Sequence, residues 1–145
     1  MKIFIINLER STERKEHMIK ELEKHNITNY EFFNGMDARE NDYSEHVDFN
    51  KFKESHKRTI KVGEIGCALS HIRLYEKIVE LNEPCIILED DLEFLKNSDK
   101  INNFSFSKPF DVIFFNDHHA KNIFPNYGPI LDTRLEQGLV FEKIS

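Results

Sequence analysis

Apolar positions along this chain alternate between two rhythms. Residues 2–8 (KIFIINL) are short, continuously apolar and isoleucine-rich, which suits a strand buried on both faces, as in a parallel sheet. The next stretch, STERKEHMIKELEKHN, has helical spacing. Ser11 or Thr12 can cap it, Glu13 suits its first turn, and Met18, Ile19 and Leu22 form a narrow apolar stripe. Glu16 and Lys20 sit at the favourable i, i+4 spacing. Residues 30–33 then predict a short strand, with a turn at Asn34 and Gly35. This is a β-α-β pattern, for which parallel pairing is the default.

Residues 37–61 are polar, with scattered aromatics at Tyr43, Phe49 and Phe52. They predict a long surface excursion holding one short helix, of the kind that often serves as a binding loop. Residues 62–82 (VGEIGCALSHIRLYEKIVELN) are the clearest helix. Ile65, Ala68, Leu69, Ile72, Tyr75, Ile78 and Val79 read as one broad apolar face, and Pro84 prevents continuation. CIILEDDLEF (residues 85–94) predicts the next strand, residues 97–108 a loop, and PFDVIFFND (residues 109–117) another buried strand. From His118 the pattern weakens, broken by Pro125, Gly128 and Pro129, before a last candidate strand in GLVFEKI. The expected class is α/β, with a mostly parallel sheet in a single domain over residues 1–145.

Composition supports a globular chain: 39% of residues are hydrophobic and 32% charged. A formal net charge of −6 gives no basic surface for nucleic acid. The N-terminal apolar run stops at Ile6 and charge follows at once, unlike a signal peptide. No segment approaches the roughly 20 apolar residues of a membrane span. These features predict a cytoplasmic protein, at most peripheral at the inner face of a membrane. Cys67 and Cys85 lie in apolar segments without a CxxC and are expected to be reduced core residues.

Four constellations can carry chemistry. Glu89, Asp90 and Asp91 end an apolar run, where hard oxygen ligands can hold Mg²⁺ or Mn²⁺. Ligands of open α/β sheets sit beyond such strand ends. Strand alternation predicts Glu89 and Asp91 on one side and Asp90 on the other. Taken alone, acids in this position also occur wherever a strand meets water. NLERSTER places Asn7 at a strand end and Arg10 and Arg14 around a helix start, a pattern suited to phosphate oxygens or to plain surface ion pairs. No GxGxxG or GxxxxGK[ST] is present. GEIGCALSH sets two glycines near a helix start, with Glu64, Ser70 and His71 on or beside an apolar helix. Ser70 and His71 project about 100° apart and make no nucleophile–base pair. Asp117, His118 and His119 end another strand. They can bind metal or exchange protons, or serve only as polar loop residues.

The order of these blocks is more specific than any one of them. IFIINLERSTERKEHM, FFNGMDA, VGEIGCALSHIRLYEKIV and CIILEDDLEF together resemble glycosyltransferase family 25, over about residues 2–117. The resemblance implies a Rossmann-like, GT-A type nucleotide-sugar fold, a UDP-sugar donor (most often UDP-galactose) and a divalent cation, Mn²⁺ or Mg²⁺. It implies inverting transfer to a lipopolysaccharide- or lipooligosaccharide-type glycan. On it, Asn7, Leu8, Arg10, Arg14, Asp37, Glu64, Gly66, Ser70, His71 and Asp90 are expected to contact the donor, and Asp91 with Glu89 to hold the metal. The catalytic base is unassigned, with Asp117 and His71 as candidates. Family members continue well past this length, so residues 1–117 are expected to be a donor-binding core. Residues 118–145 are then a poorly matching tail, and the family's C-terminal half is expected to be absent. The alternatives are a non-catalytic nucleotide-sugar-binding or subunit-pairing module prone to self-association, and a metal-dependent phosphohydrolase built on Asp90, Asp91, His118 and His119.

Overall fold

The computed structural model describes residues 1–94 and 98–103, and the backbone of 141–143. The element order is β1 (Lys2–Asn7), α1 (Thr12–Lys24), β2 (Tyr30–Asn34), α2 (Phe49–His56), α3 (Val62–Leu81), β3 (Cys85–Glu89), β4 (Leu92–Phe94) and β5 (Phe141–Lys143). The chain is α/β. One sheet has the order β2-β1-β3, and β4 and β5 form a second, two-stranded sheet. The chain divides into two compact units. One contains residues 2–12 and 31–89; the other contains Met1, residues 13–30 and the chain from Asp90 onward.

In the first unit β1 and β3 run parallel, with Lys2 opposite Cys85 and Ile6 opposite Glu89. Ile3, Phe4 and Ile5 are all buried, as the unbroken apolar run predicts for a central strand, and Ile86 and Leu88 of β3 are buried with them. Each such side chain contributes on the order of 2 kcal/mol. Helix α3 adds Ile65 and Leu74 to this core. It is tied to β2 by Lys77, whose Nζ lies 2.6 Å from Glu31 Oε1. Glu31 also holds Lys2 at 2.6 Å. The excursion contains a 3-10 turn at Ser44–His46 and then α2, capped by Asp48, which accepts from the Lys51 N–H at 2.9 Å.

The face that α3 buries differs from the expected one. Ile65, Gly66, Ser70 and Leu74 are buried, whereas Ile72, Tyr75 and Val79 are 50%, 50% and 77% exposed. The helix carries two stripes, and the stripe with small residues faces inward because it permits the closer approach. A Cβ on Gly66 would stand 2.5 Å from the Met36 carbonyl oxygen. Cys67 is correspondingly exposed and Cys85 half-buried; neither is in a disulfide, as expected, but the expectation that both lie in the core is corrected.

In the second unit Met18 and Leu22 of α1 are buried, together with Ile27, Leu92, Phe94 and Ile101. The expected continuous strand over residues 85–94 is broken. It ends at Glu89, Asp90 and Asp91 make a turn, and Leu92–Phe94 pairs antiparallel with Phe141–Lys143. Two adjacent carboxylates resist a strand buried on both faces, and the turn releases them from that alternation. The loop expected over residues 97–108 contains a 3-10 turn at Ser98–Asn103. The strand expected over residues 109–117 lies outside the described residues.

Candidate functional site

The turn after β1 is built by its own backbone. The Leu8 carbonyl accepts from the Ser11 N–H at 2.8 Å, and the buried Asn7 donates from Nδ2 to the Ser11 carbonyl at 3.2 Å. The Asn7 carbonyl accepts from the Gly35 N–H at 2.9 Å, joining the ends of β1 and β2. Arg10 donates from Nε to Asp37 in a short, charge-assisted bond. That hydrogen bond, and one from the Arg39 N–H, hold the Asp37 carboxyl below the usual carboxylate range. Arg10, expected to contact the donor, is paired with Asp37.

On α3, Glu64 accepts from Nη1 and Nη2 of Arg58, at 2.8 and 2.6 Å, and from the Lys61 N–H at 2.7 Å. It thereby satisfies an orphan donor at the helix start. The Arg58 bond first, and the Lys61 bond second, push its pKa down to about 2. Ser70 Oγ donates to the Gly66 carbonyl at 2.6 Å and accepts from the Met36 N–H at 2.8 Å. Gly66 and Ser70 thus clamp the segment leading into Asp37 against α3, and the hydroxyl is spent within the chain.

In the second unit Arg14 Nη1 lies 2.9 Å from Asp90 Oδ1 and 3.9 Å from Asp91 Oδ2. Asp90 is buried, Asp91 is half-buried, and the arginine side chain is 57% exposed. A solvent-accessible cation therefore sits over two adjacent carboxylates. An all-oxygen pair of this kind fits a hard divalent cation such as Mn²⁺ or Mg²⁺, and the guanidinium fork fits a phosphate. Sequence reasoning missed Glu21, which braces this turn's neighbour. Its carboxylate accepts from Lys24 at 2.9 Å and from the Phe94 N–H at 3.1 Å. Burial alone would raise its pKa; the Lys24 bond and the Phe94 N–H outweigh that and hold it down.

Glu89, in the first unit, has different neighbours. Its Oε1 lies 3.9 Å from Cys67 Sγ, which in turn lies 3.8 Å from His71 Nδ1. One ligand atom from each of the three residues falls within 4.8 Å of the others. Cys67 was not singled out from sequence; the available signal was its i, i+4 spacing to His71 on one helix face. Asp117, His118 and His119 lie outside the described residues. No helix among the described residues is long and apolar enough to cross a membrane.

The sequence resembles known proteins over most of its length. The family model "Glycosyltransferase family 25 (LPS biosynthesis protein)" matches residues 1–143. A "Glycosyltransferase 25 family member" of Aedes aegypti is 38% identical over 99 residues, covering 63% of this chain and 16% of the relative. A Haemophilus influenzae protein named as a glycosyltransferase is 37% identical over 102 residues, covering 68% of this chain and 35% of the relative. Procollagen galactosyltransferase 1 of Danio rerio is 30% identical over 100 residues, covering 63% and 16%. The chain thus spans only about a sixth to a third of the length of these relatives. With a family model matched along nearly its whole length, the chain belongs to glycosyltransferase family 25.

Proposed function

We propose that this chain binds the nucleotide-sugar donor of a metal-dependent glycosyltransferase, with UDP-galactose as the donor and a lipopolysaccharide-type glycan as the acceptor. The family match over residues 1–143 carries this reading. The galactosyltransferase name of the Danio rerio relative and the family description "LPS biosynthesis protein" support the choice of sugar and acceptor class. The fold expected from the resemblance is the GT-A type, and the proposed place of action is the cytoplasm, at the inner face of the membrane.

Breaking the sugar–phosphate bond leaves a diphosphate whose charge must be neutralised. A divalent cation held by Asp91, with Asp90 assisting, would supply that Lewis-acid chemistry. Arg14 is the protein's own contribution: its accessible guanidinium, already 2.9 Å from Asp90, can shift part of its fork to a phosphate oxygen. Inverting transfer also needs a base for the acceptor hydroxyl on the opposite face of the sugar. Titration calorimetry of UDP-galactose with Mn²⁺ present tests the reading. Saturable binding that disappears with a chelator is expected, and no heat at millimolar ligand with the fold intact would sink it.

A second reading is a pairing module, favoured by the exposed Ile72, Tyr75 and Val79 on one face of α3. It predicts concentration-dependent mass in light scattering, and a clean monomer at all concentrations contradicts it.

A further inference from the structure

We propose that Cys67, His71 and Glu89 form a binding site for a borderline-soft divalent cation of the zinc class. Cys67 and His71 are one turn apart on α3, and Glu89 is the last residue of β3, all within the first unit. The set offers one sulfur, one imidazole nitrogen and one carboxylate oxygen, the donor types that zinc accepts together. Three protein ligands leave a coordination position open.

The distances fit. Metal–ligand bonds of about 2.0–2.3 Å at tetrahedral angles place neighbouring ligand atoms roughly 3.4–3.6 Å apart. Cys67 Sγ lies 3.8 Å from His71 Nδ1 and 3.9 Å from Glu89 Oε1, so small side-chain rotations close the site. Cys67 is exposed, and His71 and Glu89 are half-buried, which gives a cation access. His71 Nδ1 also lies 2.9 Å from the Cys67 carbonyl oxygen, an interaction that already orients the ring. Coordination at Nδ1 exchanges that bond for the metal, and coordination at Nε2 keeps it as the orienting contact. Binding converts the thiol to a thiolate and releases its proton to solvent.

The site differs in kind from the oxygen-only pair at Asp90 and Asp91, and it does not rest on the transferase reading. Co²⁺ added to the reduced full chain is the probe. A thiolate-to-cobalt charge-transfer band in the near ultraviolet is expected, lost in Cys67→Ser and retained in Cys85→Ser. His71→Ala and Glu89→Gln are expected to weaken Zn²⁺ binding tenfold or more. In the unaltered chain, Zn²⁺ is expected to slow alkylation of Cys67 and leave Cys85 unchanged, which needs no variant to fold. Asp91→Asn, expected to lose UDP binding, keeps the cobalt band. Absence of the band, its survival in folded Cys67→Ser, or unslowed alkylation of Cys67 under saturating Zn²⁺ would overturn the proposal.

Discussion

Arg14 and Glu64 show how two similar charge pairs differ in availability. Arg14 is more than half exposed and points at acids that an oxygen-binding cation also fits. Replacing it with alanine weakens the compensation of the buried Asp90 carboxylate and is expected to cost about 1–3 kcal/mol. UDP binding is expected to weaken about tenfold or more, since a charge-assisted bond to phosphate is lost. Denaturant melts beside calorimetry check both numbers, and a large stability loss with unchanged UDP affinity would make Arg14 purely structural. Glu64, by contrast, is committed to Arg58 and to the start of α3. Its pKa is depressed from an ordinary 4.5 to about 2. The stabilisation from this pair is therefore complete above about pH 4.5 and is lost as pH falls through about 2. A carboxyl NMR titration should place its midpoint near 2; a midpoint near 4.5 would mean that the bidentate pair does not persist in solution.

At the scale of elements, the junction between α3 and the segment after β2 organises the first unit. Gly66→Ala is expected to cost about 1–3 kcal/mol, because its new Cβ would meet backbone rather than a flexible side chain. Ser70→Ala leaves the Met36 N–H without its acceptor and should cost a similar amount, about 1–2 kcal/mol. Urea melts test both, and neutrality at both positions would show that the junction is not tight. This junction also marks where sequence reasoning stopped. Strand β1, the ends of α3 and the strand at Cys85 were legible, since unbroken apolar runs, a long 3.6-residue period and Pro84 leave few alternatives. The buried side of α3 was not legible. Its larger residues, Ile72, Tyr75 and Val79, dominate any hydrophobic count, but Gly66 and Ser70 permit the closer approach. The break at Asp90 was equally hidden, because an apolar run followed by LEF reads as one strand until the acids are given a partner. Arg14 is that partner, and 76 residues separate it from Asp90. Local spacing carries no sign of the pair; only the order of motifs shared with family 25 brought the two segments together.

For the whole molecule, the match to the family 25 model runs over residues 1–143. The chain spans 16% of the length of its Aedes relative, and donor binding is the function proposed for it. The most direct test is an amide NMR map of the full chain with Mg²⁺ and UDP. Mg²⁺ is diamagnetic, so shifts report binding without line broadening. The account predicts saturable shifts concentrated at Arg14, Asp90 and Asp91, all abolished in Asp91→Ala. A folded spectrum that UDP leaves unmoved, or shifts confined to the basic helix Phe49–His56 and surviving Asp91→Ala, would contradict it.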